Sequence, residues 1–135
     1  MIVLDCSAAV EMVRGTSRGY GFRCLMLKDE HVVASELLRA EVRNAFWKYT
    51  RAGLLSVEDA EAHITEALGL VDEFVPLEEN AAESFAEAAR QSHPVYDLFY
   101  VTLARRNAAT LLTADKKLVA LCEHMGVNCV CEVEF

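Results

Sequence analysis

Eleven residues from Pro94 to Ala104, "PVYDLFYVTLA", read as a helix apolar on nearly every side, with Asp97 the only charge among them. Such a helix is buried, and a buried carboxylate without a partner is costly. Asp97 therefore asks for a chemical reason. Three other acids are placed to supply one. Asp5 ends the apolar run "MIVLD", Asp115 follows "TLLT" after a single alanine, and Glu41 lies in "SELLRAEVRNAF". Four carboxylates brought close repel one another unless some are protonated or a cation sits among them. Oxygen donors without clustered His or Cys favour a hard ion, Mg²⁺ or Mn²⁺. Taken singly, each acid also has a structural reading. Asp5 could be a strand-end turn residue, Glu41 a partner of Arg14, Arg39 or Arg43, Asp97 a complement to a helix dipole, and Asp115 a helix cap.

The elements that must position these acids follow from the alternation of patterns. Five apolar runs, "MIVLD" (1–5), "HVVAS" (31–35), "EFVPL" (73–77), "ATLLTAD" (109–115) and "VNCVCEV" (127–133), predict strands. Helices are expected between them. Ser35 as N-cap and Gly53 as stop signal frame one helix over 35–52. "SVED" opens a second over 56–70, with Val57, Ala60, Ile64, Ala67 and Val71 on one face. "NAAE" opens a third, Asn80 to Gln91, and Pro94 suits the first turn of the Asp97 helix. A last helix runs from Lys116 to about Met125, before Gly126. Region 8–30 is read as two short helices, broken around Gly15 and again near Gly19 and Gly21.

Strands that are continuous apolar runs separated by helices imply a parallel α/β sheet covered on both faces. Ligands of such sheets bind beyond the carboxyl ends of the strands, where Asp5 and Asp115 both fall. In the helix after the second strand, Leu38, Val42, Ala45, Phe46 and Tyr49 form a core-facing stripe. Glu41 falls about 60° from Leu38, at the stripe's margin, looking partly inward.

The bulk numbers narrow the classes. A length of 135 residues fits one domain, 1–135. No apolar run approaches a membrane span, and the N-terminus lacks the basic region of a signal peptide. A cytoplasmic protein is expected, with Cys6, Cys24, Cys122, Cys129 and Cys131 as reduced thiols. "CVC" has no second pair at zinc-site spacing. Net charge is −8, from 21 acidic and 13 basic residues, which argues against a non-specific nucleic-acid binder. The acidic surplus serves solubility or gathers around a cation; the total alone does not choose.

"IVLDCSAAVE", "SELLRAEVRNAF" and "VYDLFYVTLARRNAATLLTADKKL", in this order, resemble the PIN-domain family, particularly its VapC-type endoribonuclease toxins. The likeness covers essentially the whole chain, and the last block is the most specific. It implies a three-layer α/β/α sandwich around a parallel sheet of about five strands in the order 3-2-1-4-5. Asp5, Glu41, Asp97 and Asp115 match the family's acidic quartet, expected to bind Mg²⁺ or Mn²⁺ and cleave RNA. Ser7 and Thr113 match hydroxyl positions that support those acids, and Asn44 keeps the family's E-x-x-N spacing with Glu41. The resemblance further implies an antitoxin partner and a homodimer. Cys6 is a less common residue at its position.

Arg14, Arg39, Arg43, Lys116 and Lys117 lie near the acidic segments and are candidates for holding RNA phosphates, although each also reads as a surface solubility residue. Arg105 and Arg106 are weaker candidates. Trp47 and Tyr49 suggest base-stacking platforms, but Tyr49 lies on the core stripe. Other classes fit less well. A haloacid-dehalogenase-like phosphatase wants a second aspartate where Ser7 stands, and a receiver domain wants one after the third strand, where "EFVPLEEN" offers glutamates. A PIN nuclease of RNA processing and a non-catalytic PIN-fold interaction module remain alternatives.

Overall fold

Each apolar run becomes a short buried strand because it has no polar face to offer water. The structure, a computed structural model, describes residues 1–26 and 29–134. The expectations for region 8–30 and for domain 1–135 lie outside the described residues at positions 27, 28 and 135. Strands β1 (Ile2–Leu4), β2 (Val32–Ser35), β3 (Glu73–Val75), β4 (Thr110–Leu112) and β5 (Cys129–Val130) form one parallel sheet in the order β3-β2-β1-β4-β5. Ile2 pairs with Val32 on one side and Thr110 on the other. The sheet order is the expected 3-2-1-4-5. The run 127–133 yields only the two paired residues Cys129 and Val130, and Pro76, which has no N–H for the ladder, follows the end of β3.

Alternating residues of β1 feed two cores. Ile2 and Leu4 pack with α1 (Cys6–Arg14), α2 (Ser17–Met26), α3 (Leu37–Arg51) and α4 (Val57–Gly69), through Met12, Phe22, Phe46 and Ala67. Val3 packs on the opposite face, with Leu98 and Val101 of α6 (Val95–Arg106) and Leu118 and Leu121 of α7 (Lys116–Met125). Between β3 and α6, a 3-10 turn (Leu77–Glu79) leads into α5 (Ala81–Gln91), which packs on α6. Helices thus cover both faces of the sheet. Among the described residues, no helix is long and apolar enough to cross a membrane.

Several local expectations change. Gly15 does break the chain between α1 and α2, with φ at +71°, a conformation that glycine adopts without penalty. Gly19 and Gly21 break nothing: both are buried inside α2, for a reason of packing taken up below. Ser35 ends β2 rather than capping formally, but its Oγ still accepts the Leu37 N–H at 3.2 Å. Val57 opens α4 but stays 65% exposed, outside the core that takes Ala60 and Ala67. All five cysteines are free thiols.

Asn80 is not a side-chain cap. A tertiary partner competes successfully for its amide, which donates to Phe99 O and Thr102 Oγ1, both at 2.9 Å. Ser84 Oγ lies 3.0 Å from the same Thr102 hydroxyl, which donates to Leu98 O. This buried polar knot joins α5 to α6. Thr102→Val keeps the shape but leaves one Asn80 N–H without an acceptor. The expected cost is about 1–3 kcal/mol, read as a lower urea midpoint with an unchanged slope.

Candidate active site

Parallel pairing of β1 with β4 brings their carboxyl ends together, so Asp5 and Thr113 meet across 108 positions of sequence. Asp5 caps α1: its Oδ1 accepts the Ala8 N–H at 2.9 Å. The Ser7 hydroxyl donates to the same carboxylate, 2.9 and 3.0 Å from its two oxygens, and Thr113 Oγ1 donates to Oδ2. Both hydroxyls also accept from the loop after β4, Ser7 from Ala114 N–H at 2.8 Å and Thr113 from Asp115 N–H at 3.1 Å. The two hydroxyl oxygens also lie 3.1 Å apart, so the three side chains form one hydrogen-bonded cluster. The carboxylate has a single orientation, and the segment that carries Asp115 is tied to it. Asp115 caps α7 through the Lys117 N–H at 2.9 Å.

The other two acids come from helices on opposite faces of the sheet. Glu41 projects from α3, pairs with no arginine among the described ion pairs, and accepts from the phenol of Tyr100 on α6. Asp97, in the first turn of α6, lies 3.5 Å from His93 Nε2. All four carboxylates line one cavity of about 500 Å³. Its walls also carry Arg14, Lys48, Tyr49 and Glu11, the last bonded by the Thr16 hydroxyl. The Arg14 guanidinium lies 4.8 Å from the centre of the Tyr49 ring.

Burial and mutual repulsion work against ionisation here. Asp5, 5% exposed, is pushed up to about 7 by burial, against its three hydrogen bonds and with Glu41 adding to the rise. Glu41 is raised by burial and by Asp97, with the Tyr100 hydroxyl opposing. Burial also raises Asp97, as does Asp115, while His93 and Lys117 oppose. Burial, Glu41 and Asp5 hold the Cys6 thiol up at about 12, so it is protonated and not a nucleophile.

Such a cleft takes up protons or a cation. The carboxylates stand around its wall rather than at a point: among the described residues no three His, Cys, Asp or Glu side chains form a ready-made metal group. The donor chemistry still fits Mg²⁺ or Mn²⁺. A hard ion that retains several waters needs only one or two direct carboxylates, and a divalent charge offsets the repulsion that raises Asp5, Glu41 and Asp97.

Of the remaining sequence candidates, Arg14 lines this cavity, while Asn44 lines an adjoining one. Arg39 pairs with Glu36 at 2.7 Å and stacks on Phe74, and Arg43 donates to Arg39 O. Lys116 and Lys117 open α7. None of these four lines either cavity. Arg105 is engaged by Glu83 and Glu87. Lys48 and Tyr100 escaped the sequence reading. The signal for Lys48 was its place two turns after Glu41 on one helix face, and for Tyr100 its place one turn after Asp97.

A model of the PIN domain matches residues 2–123. Ribonuclease VapC3 of Pyrobaculum aerophilum is 30% identical over 122 residues, which cover 87% of this chain and 91% of that protein. Ribonuclease VapC1 of Mycobacterium tuberculosis is 30% identical over 118 residues, covering 87% and 88%. Among solved structures, PAE2754 from Pyrobaculum aerophilum shares the fold with a TM-score of 0.69 at 22% identity, over 88% of this chain and 84% of that one. FitAB bound to the IR36 DNA fragment gives a TM-score of 0.64 at 18% identity, over 100% and 99%. Because the family match runs from Ile2 in the first strand to Glu123 in the last helix, and so takes in all four carboxylates, the chain belongs to the PIN-domain family.

Proposed function

We propose that this chain is a single-domain endoribonuclease that hydrolyses RNA phosphodiester bonds with Mg²⁺ or Mn²⁺, and that it is the toxin of a toxin–antitoxin pair. One observation carries the reading: four carboxylates from the β1–α1 junction, α3, α6 and the β4–α7 loop line a single cleft at the carboxyl edge of the sheet. Relatives at 30% identity that bear the name ribonuclease VapC supply the substrate class.

Asp5, Glu41, Asp97 and Asp115 would hold the cation. When bound, the ion lowers the pKa of a water and offsets charge gathering on the phosphate. The chain's own residues do the rest. Ser7, Thr113 and the Ala8 N–H fix the Asp5 carboxylate, and Tyr100 fixes Glu41. Arg14 and Lys48 present positive charge to an incoming strand, so a net charge of −8 does not keep RNA away. Hydrolysis that expels the 3′ oxygen leaves a 5′-phosphate and a 3′-hydroxyl. A homodimer, an antitoxin partner and a cytoplasmic setting belong to the same proposal.

The test is to map new RNA ends after incubating total cellular RNA with Mn²⁺ and either the wild type or Asp97→Asn. Discrete cuts bearing 5′-phosphates are expected from the wild type, reduced at least about 100-fold in the variant. Undiminished cutting by Asp97→Asn in excess chelator would overturn the reading.

A further inference from the structure

The cleft continues past the acids. A second cavity of about 420 Å³ shares Cys6, Glu41, Ala45 and Lys48 with the first. The two lobes adjoin along these four residues, so a strand that reaches the carboxylates passes beside the second. The second lobe differs in chemistry from the first. Its lining includes the apolar Leu37 and Ala40 beside Asn44 and Tyr96. Tyr96 directly precedes Asp97 and keeps its ring 60% exposed, although its neighbours Leu98 and Tyr100 are buried. Asn44 sits one turn after Glu41 and offers both a donor and an acceptor. Lys48 stands where the lobes join, near enough for its charge to be felt at Cys6.

An exposed ring, two apolar lining residues, an amide and a cation beside the acids match the parts of one nucleotide: base face, base edge and phosphate. We propose that this second lobe binds the nucleotide next to the scissile bond, with Tyr96 stacked on its base, Asn44 on the base edge and Lys48 on its phosphate. The assignment rests on the ribonuclease reading, and it makes Tyr96 and Asn44 the residues that shape sequence preference around the cut.

Binding is measured by fluorescence anisotropy, using fluorescein-labelled RNA hexamers in Ca²⁺ with the strand checked intact on a gel. One series carries a single abasic residue walked along the hexamer. Tyr96→Ala is expected to weaken binding about 10-fold, while Tyr96→Phe, which keeps the ring, binds like the wild type. In the wild type one abasic position costs a similar factor; in Tyr96→Ala that cost disappears. Lys48→Gln lowers the slope of log K against log salt by about 0.7. Tyr96 is exposed, so its truncation leaves the fold intact, which circular dichroism checks. Equal affinities for wild type and Tyr96→Ala, an abasic cost that persists in the variant, or no binding by the wild type each overturn the proposal. The two readings fail separately. A wild type that binds hexamers with the Tyr96 dependence but cuts nothing in Mn²⁺ sinks the nuclease and leaves the lobe; cutting with a Tyr96→Ala profile identical to wild type does the reverse.

Discussion

Asp5→Asn removes RNA cleavage by at least about 1,000-fold and, at neutral pH without divalent ions, makes the protein more stable. The second result is the more telling. Burial dominates at Asp5 and holds its carboxyl at about 7 in the fold, against 3.8 for the free side chain. Between those values the folded chain binds more protons than the unfolded one, so stability falls as pH rises from about 4 to about 7. Above that window the folded protein bears the whole cost of a buried anion. The shift corresponds to at most about 4 kcal/mol. The hydrogen bonds from Ser7, Thr113 and Ala8 weaken when the charge goes, so the expected gain for Asp5→Asn is on the order of 1–2 kcal/mol.

Calorimetry in chelator at pH 5 and pH 8 separates the contributions. Wild-type Tm falls between them, and the fall is smaller in Asp5→Asn. Glu41 and Asp97 are raised in the same direction and account for what remains. Glu87 acts oppositely but elsewhere on the scale: the hydrogen bond from Arg105 holds it below its usual 4.5. Its contribution is present above that value and lost as pH falls through the folded one, outside the window that Asp5 governs. Adding Mn²⁺ at pH 8 should restore the wild type by mass action, about 2.7 kcal/mol at a hundredfold excess over Kd, and leave Asp5→Asn unmoved. A wild type more stable at pH 8 than at pH 5 in chelator, and indifferent to Mn²⁺, would sink both the charge argument and the metal site.

The site was legible in sequence wherever a residue's place followed from its own element. Asp5 and Asp115 follow from the strand-end rule, and they are caps as well as cavity walls, so the structural and functional readings of these two were never exclusive. Glu41 follows from the wheel, and it is half-buried on the cavity wall. What could not be read was pairing across elements. Tyr100 looked like one more apolar residue of a buried helix; its hydroxyl matters only because α3 and α6 approach the same sheet edge from opposite faces. Lys48 is exposed on α3 and also lines the cleft, a position that a stripe drawn for core contacts does not reveal. Tyr49, assigned to the core, stands between core and cleft beneath Arg14. Asn80 obeyed the capping pattern in sequence but bonded to Thr102, which no local window contains.

Gly19→Ala is the second large effect, and here two familiar magnitudes compete. In an exposed helix, replacing glycine by alanine stabilises by about 1 kcal/mol. At Gly19 a Cβ would stand 2.1 Å from the Glu11 carbonyl oxygen, 2.4 Å from its carbon and 2.7 Å from Met12 Cα. All three are backbone atoms of α1, so none can swing aside; the helices must part. Parting them strains the Thr16 hydroxyl bond to Glu11 O at 3.3 Å and the Arg23 bond to Met12 O at 3.2 Å, and it loosens Met12 and Phe22 in the core. Overpacking of this kind costs typically 1–3 kcal/mol and more where backbone must move, so steric exclusion wins and a net loss of about 3 kcal/mol is expected. Gly69 is the control: it ends α4 with open space around it, and Gly69→Ala should be neutral or slightly stabilising. Urea unfolding of both variants decides the matter. If Gly19→Ala unfolds at the wild-type midpoint or above it, α1 and α2 do not approach as closely as drawn, and the wall that carries Glu11 and Arg14 into the cleft is misplaced with them.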